Sequence, residues 1–159
     1  MIRLLVIAIF PAVLHSQNIK GPVEYNESVA KQKTKLINKI FLCDTIHIKV
    51  NRRGCSLPSF YELNLHKRQN YYIGTYSVAT GDASKISHQH VLKINQNTLQ
   101  SIHDLCLYGL TIQEGSCTTK KKFIVSSPNN MVLFNDDRCS DNDDILEKIE
   151  KIIKNTKLD

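Results

Sequence analysis

The stretch Thr45-Ile46-His47-Ile48-Lys49-Val50 (TIHIKV) alternates polar and apolar residues without a break. A period of two turns successive side chains to opposite faces, so Ile46, Ile48 and Val50 predict the buried side of a half-buried β-strand, with His47 on the other side. Asn51-Arg52-Arg53-Gly54-Cys55 then turns the chain at Gly54. Downstream, YELNL (61–65) and NYYIGTYSVA (70–79) are rich in aromatic and β-branched residues and predict strands, broken by His66–Gln69 and by Gly74. TGDAS (80–84) predicts a loop, QHVLKI (89–94) a strand and TLQSIHDLC (98–106) a short helical turn. KKKFIVS (120–126) and NMVLF (130–134) predict two more strands, joined by a turn at Ser127-Pro128-Asn129-Asn130. In this reading the lysine triplet is a solvated start to its strand, or charge guarding an edge.

The C-terminal segment changes period. Ile145, Leu146, Ile149, Ile152 and Ile153 recur at helical spacing, which predicts an amphipathic helix over 141–156. Ser140 or Asp141 is placed to cap it, with acids in its first turn and lysines in its last. The expected class is therefore α+β: a β-rich antiparallel sheet with a short helix, closed by a C-terminal amphipathic helix.

Residues 1–16 have the anatomy of a secretory signal peptide: basic Arg3, an apolar run from Leu4 to Leu14, and small Ser16 before a polar continuation. Cleavage after Ser16 leaves residues 17–35 as a polar lead-in, either loose or a short helix. Residues 36–159 then form one domain. With Arg3 removed, 20 basic against 15 acidic residues give a net charge of +5. The lysines are scattered and no arginine run is interleaved with aromatics, so no nucleic-acid partner is expected, and no membrane contact after signal removal. Asn26-Glu27-Ser28 is an N-glycosylation sequon. In an oxidising compartment Cys43, Cys55, Cys106, Cys117 and Cys139 are all disulfide candidates. Five cysteines leave one odd thiol, free or joined to a second copy, and spacing does not fix the pairing.

Catalytic and metal patterns fail one by one. His88 and His90 share a strand face but need a third ligand, for which His103 or Asp104 is the nearest candidate. The acidic run Asp136–Asp144 lacks the glycine and the third-position acid of a calcium loop and reads as a solvated helix cap. There is no G-x-S-x-G elbow, no glycine-rich phosphate loop, and no signature around Cys43 and His47. No catalytic residue, metal or cofactor is therefore assigned. Tyr61, Tyr71, Tyr72 and Tyr76 read first as strand-core side chains and second as interface anchors.

Two stretches resemble a known family. Asp104, Leu107, Gly109 and Leu110 stand in the order D-x-x-L-x-G-L, followed by Gly115, three lysines and FIVSS. This resembles the FKBP-type prolyl isomerase signature, in which D-x-x-L-x-G-M precedes a glycine, basic residues and a strand. CDTIHIKV (43–50) is similar to that family's G-D-T-V-H-V-H-Y strand, with Asp44, Thr45, Ile46, His47 and Ile48 in step. The resemblance implies a sheet wrapped on a short helix and an aromatic pocket that favours the twisted prolyl amide. Yet Val50 stands where a strand-end tyrosine is expected, and His103 where the pocket-floor tryptophan is expected. The chain has no tryptophan. What the resemblance implies is an eroded pocket at Val50 and His103, with no catalytic residue carried over. The expected function is a secreted, non-catalytic binding protein with a protein partner. The alternatives are a secretory-pathway prolyl isomerase and a secreted ligand or effector outside any family.

Overall fold

The computed structural model describes residues 27–54, 57–112, 117–138 and 144–156. Helix α1 (Glu27–Phe41) leads into four successive strands, β1 (Thr45–Arg53), β2 (Ser59–Arg68), β3 (Tyr71–Thr80) and β4 (Ile86–Asn95). Helix α2 (Gln96–Gly109), strands β5 (Lys120–Ser127) and β6 (Asn130–Asp136), and helix α3 (Ile145–Lys154) complete the order. The six strands form one antiparallel sheet in the order β4-β3-β2-β1-β5-β6. The class is thus α+β, as the strand periods predict.

The topology follows from short connections. Each of the first three turns joins neighbours, giving a meander that steps away from β1. Helix α2 then carries the chain back across the sheet, so β5 docks on the vacant side of β1 and β6 folds onto β5 across Pro128-Asn129. β1, opened by the TIHIKV stretch, is therefore central, while β4 and β6 are the edges.

Alternation decides which side chains face the helices. Ile46, Ile48 and Val50 are buried, opposite Leu65, Leu63 and Tyr61 of β2 and, for Ile48 and Val50, opposite Val125 and Phe123 of β5. Tyr72, Tyr76, Leu92, Ile94, Val132 and Phe134 extend the same apolar layer. The helices cover it with Ile37, Ile40 and Phe41 of α1, Leu99, Ile102 and Cys106 of α2, and Ile145, Leu146, Ile149 and Ile153 of α3. Of the four tyrosines, Tyr72 and Tyr76 are buried and Tyr61 packs against the core, while Tyr71 lies on the opposite face beneath Lys93, 4.6 Å from the ring centroid.

Several local expectations shift. Of the two readings of the polar lead-in at 17–35, its described part takes the helical one, but α1 starts at Glu27, runs on to Phe41 and buries its C-terminal turn. The helical turn at 98–106 is a full helix of 14 residues, started by Asn95, whose side chain accepts from the Thr98 N–H at 2.9 Å. The C-terminal helix is capped by Asp144 and begins at Ile145; residues 141–143, with the expected cap residues Ser140 and Asp141, lie outside the described residues.

Neither His66–Arg68 nor Gly74 breaks a strand. β2 runs through to Arg68 and turns at Gln69, the one described non-glycine residue with positive φ, 38°. Gly74 sits inside β3, where a Cβ would overlap the Asn64 carbonyl oxygen of β2. The glycine marks a close backbone approach between paired strands. Gly74→Ala is expected to destabilise the protein by ~1–3 kcal/mol, the usual cost of overpacking, read as a lowered urea midpoint. An unchanged midpoint would show that β2 and β3 separate there at no cost.

Candidate functional site

Three features of the molecule carry enough chemistry to be weighed as a site. The first lies where the β1–β5–β6 end of the sheet meets the start of α3. In KKKFIVSS the inward positions are Lys121, Phe123, Val125 and Ser127, so the period that buries Phe123 also buries the middle lysine. Its ammonium lies 2.6 Å from Asp144 Oδ2, and both side chains are 4% exposed. Asp144 Oδ1 accepts from the Leu146 N–H at 2.8 Å, so one carboxylate pairs the lysine and caps α3. Beside it Asp136, fully buried, takes two hydrogen bonds from the Arg138 guanidinium, at 2.8 and 2.9 Å, one from the Arg138 N–H at 3.4 Å and one from the Ile145 N–H. Burial pushes the Asp136 carboxyl up, but the guanidinium and the backbone N–H groups outweigh it and hold it below the usual carboxylate range. Arg138 also donates to Tyr108 Oη at 3.0 Å and lies over that ring.

This corrects the reading of the acidic run as solvated: Asp136, Asp137 and Asp144 are buried, Asp144 against the buried Lys121 and Asp136 against the partly exposed Arg138. The reason is the strand period, which turns Asp136 inward beyond Val132 and Phe134. Of the three described carboxylates of the run, Asp136 and Asp144 are engaged in structural contacts, whereas Asp137 has one buried oxygen without a hydrogen-bond partner. As a site the cluster reads as a clamp between sheet and α3.

The second feature is the groove between α1 and α2. Here His103 Nε2 lies 2.9 Å from Asn38 Oδ1, and Nδ1 lies 3.0 Å from Gln100 Nε2. Nδ1 also lies 3.4 Å from Asp104 Oδ1, so the ring is held between polar groups of both helices. The ring meets Phe41 edge-on at 4.8 Å. A cavity of about 310 Å³ opens beside it, walled by Asn38, Phe41, Leu42, Gln96, Leu99, Gln100 and His103. Val50 is not part of that wall; it is buried in the middle of β1 between Tyr61 and Phe123. The structure therefore does not bring Val50 and His103 to a common pocket.

The third is the face of the sheet turned away from the helices. Its outward positions include His47, Lys49, Asn51 and Arg53 of β1, Lys120, Lys122 and Ile124 of β5, and Met131, Leu133 and Asn135 of β6. Lys49 pairs with Glu62 at 3.1 Å, and His47 bonds Asn64 across the strand gap. Met131 is 60% and Val91 50% exposed on this face. No described helix lies on it.

The remaining candidates resolve simply. His88 and His90 do share a strand face, opposite Val78 and Tyr76, and His88 is exposed. Among the described residues no three His, Cys, Asp or Glu side chains group as metal ligands. No two of the described cysteines are joined to each other; Cys55 and Cys139 lie outside the described residues. Cys106 is fully buried, and burial pushes its thiol up to about 12, far from the reactive thiolate range. Cys43 Sγ donates to the Lys39 carbonyl at 3.3 Å. Asn26 and residues 1–16 lie outside the described residues. Among the described residues no helix is long and apolar enough to cross a membrane. No known protein family matches the chain, and no curated protein matches it as a relative.

Proposed function

We propose that the chain is a secreted, non-catalytic binding protein that engages a protein partner. The observation that carries this reading is the open face of the sheet. A six-stranded sheet built to bury one face presents Ile73, Val91, Met131 and Leu133 to solvent among polar side chains on the other. Ile73 and Val91 stand toward the β3–β4 edge and Met131 and Leu133 on the β6 edge, so each edge sets a pair of apolar side chains among polar ones, the composition of a protein interface. The amphipathic C-terminal helix, with Asp144 at its start, belongs to the scaffold that holds that face flat. In this reading any ancestry shared with FKBP domains survives as fold alone, since Val50 and His103 line no common pocket.

Secretion and lack of catalysis are tested together. The full chain expressed in eukaryotic cells is expected in the medium, beginning at Gln17 and losing mass on deglycosylation at Asn26. The purified product is expected to leave a chromogenic proline-peptide isomerisation at its background rate. Retention inside cells with Met1 intact would overturn the first half. Turnover blocked by a macrolide inhibitor would replace the second with the isomerase reading.

A further inference from the structure

The sheet order brings together two basic stretches that lie far apart in sequence. β1 ends in Arg52-Arg53 and β5 begins with Lys120-Lys121-Lys122. In the antiparallel register Arg52 faces Lys121, and Arg53 faces Lys120. Like charges directly opposite on neighbouring strands are destabilising, and strand pairs ordinarily avoid them. On the inner side the repulsion is answered, because Asp144 pairs with Lys121. On the outer side it is not. Arg53, Lys120 and Lys122 are exposed, and among the described residues none of them has an acidic partner. Beneath them the Arg52 Nε is buried without a hydrogen-bond partner, which adds to the local positive potential.

The surroundings extend this cluster into a track. Lys122 lies in register between Asn51 of β1 and Asn135 of β6, so two carboxamides flank the central cation. Around the edge strand β6, Lys122 and Asn135 line a cavity of about 470 Å³ together with Lys33 of α1. Cations therefore run from Arg53 and Lys120 across Lys122 to Lys33. Strands spaced ~4.8 Å apart, with same-face residues ~6.7 Å apart along each, set Arg53, Lys120 and Lys122 out as a grid of long, adaptable side chains, with Lys33 of α1 beyond the sheet edge. Arg53 and Lys120 lie on the open strand surface outside that cavity, so the cations are spread along a line rather than gathered around one small anion.

From this placement we propose that the β1–β5–β6 end of the sheet binds a linear sulfated polysaccharide. Charge complementarity calls for a polyanion. The amides of Asn51 and Asn135 beside the cations suit a polymer that offers hydroxyls as well as sulfates. Among the described residues the aromatic ring on this track is Phe134 in the cavity wall, and it is buried and stacked on Phe123 rather than free to stack a base, which sets single-stranded nucleic acid second. The site differs from the apolar protein-binding positions proposed above. Only the setting in which such a polymer is met rests on secretion, and binding by the purified protein does not depend on it.

The test uses the full chain as secreted, with heparin as the probe. Log affinity against log salt is expected to be linear, and R53Q/K120Q/K122Q is expected to lower its slope by about two to three, one for each lost contact that releases a counterion. K151Q/K154Q/K85Q, which removes the same charge elsewhere, is expected to leave slope and affinity near those of the parent. Equal losses in the two variants would reduce the effect to net charge and overturn the site. On the unmodified protein, heparin is expected to shield Lys120 and Lys122 from acetylation while leaving Lys151 reactive. Uniform shielding, or none, would overturn the proposal even if the triple variant failed to fold. Binding of a single-stranded RNA of equal charge as tightly as heparin would overturn the polysaccharide in favour of nucleic acid.

Discussion

Asp144→Ala is expected to cost about 3–5 kcal/mol of stability, because it leaves the buried Lys121 ammonium without its partner. Two losses add. The carboxylate accepts the Leu146 N–H, and losing a helix cap of this kind costs ~1 kcal/mol. The larger part is the stranded charge: Lys121 is 4% exposed, and the acid that remains nearby, Asp136, is already engaged by Arg138. Lys121→Met alone should cost less, since Asp144 keeps its N–H donor. K121M/D144N removes both charges and keeps an oxygen for the cap, so it is expected to return within ~1 kcal/mol of the parent, as replacement of a whole buried pair usually does. Urea unfolding of the three variants closes the cycle. If D144A cost no more than an ordinary cap, the pair would be solvated in solution.

That pair also marks where the sequence was legible and where it was not. The period of TIHIKV places Ile46, Ile48 and Val50 correctly because burial on one face is a local property of a strand. The same rule applied to KKKFIVSS would have turned Lys121 inward as soon as Phe123 and Val125 were taken as core. A run of three lysines reads as solvent only when composition is allowed to outvote alternation. Its counter-ion was hidden for another reason. Asp144 lies 23 positions along the chain, and only the return of α3 over the sheet end brings it to Lys121. Gly74 was misread as a break because single-strand propensity does not contain the neighbour whose carbonyl excludes a Cβ. The cationic track could not be seen at all from composition, since Arg53 and Lys120 meet only through the crossover that seats β5 beside β1. Local periods thus fixed the layers, whereas the pairing order fixed every charge contact between them.

The largest single packing loss is expected at Phe123. Its side chain is fully buried, in register between Val50 of β1 and Phe134 of β6, and its ring stacks on Phe134 at 4.8 Å with the planes 6° apart. Phe134 is itself fixed from above by Gly109, where a Cβ would overlap its ring. The aromatic pair thus ties the β5–β6 hairpin to both the centre of the sheet and the end of α2. Phe123→Ala is expected to lower stability by ~3–5 kcal/mol, from lost transfer energy and a cavity that stiff neighbours cannot fill. Phe123→Leu keeps most of the volume and should cost clearly less. Chemical denaturation measures both, with an unchanged slope showing that the folded state is the same. A loss below ~1 kcal/mol for F123A would place the ring outside the core and undo the register on which the inward Lys121 and the outward Lys120 and Lys122 depend. Because those lysines share β5 with Phe123 but face the other way, F123A is expected to keep its heparin slope wherever it remains folded. A slope lost in step with stability would mean instead that the strand, and with it the cationic track, had shifted.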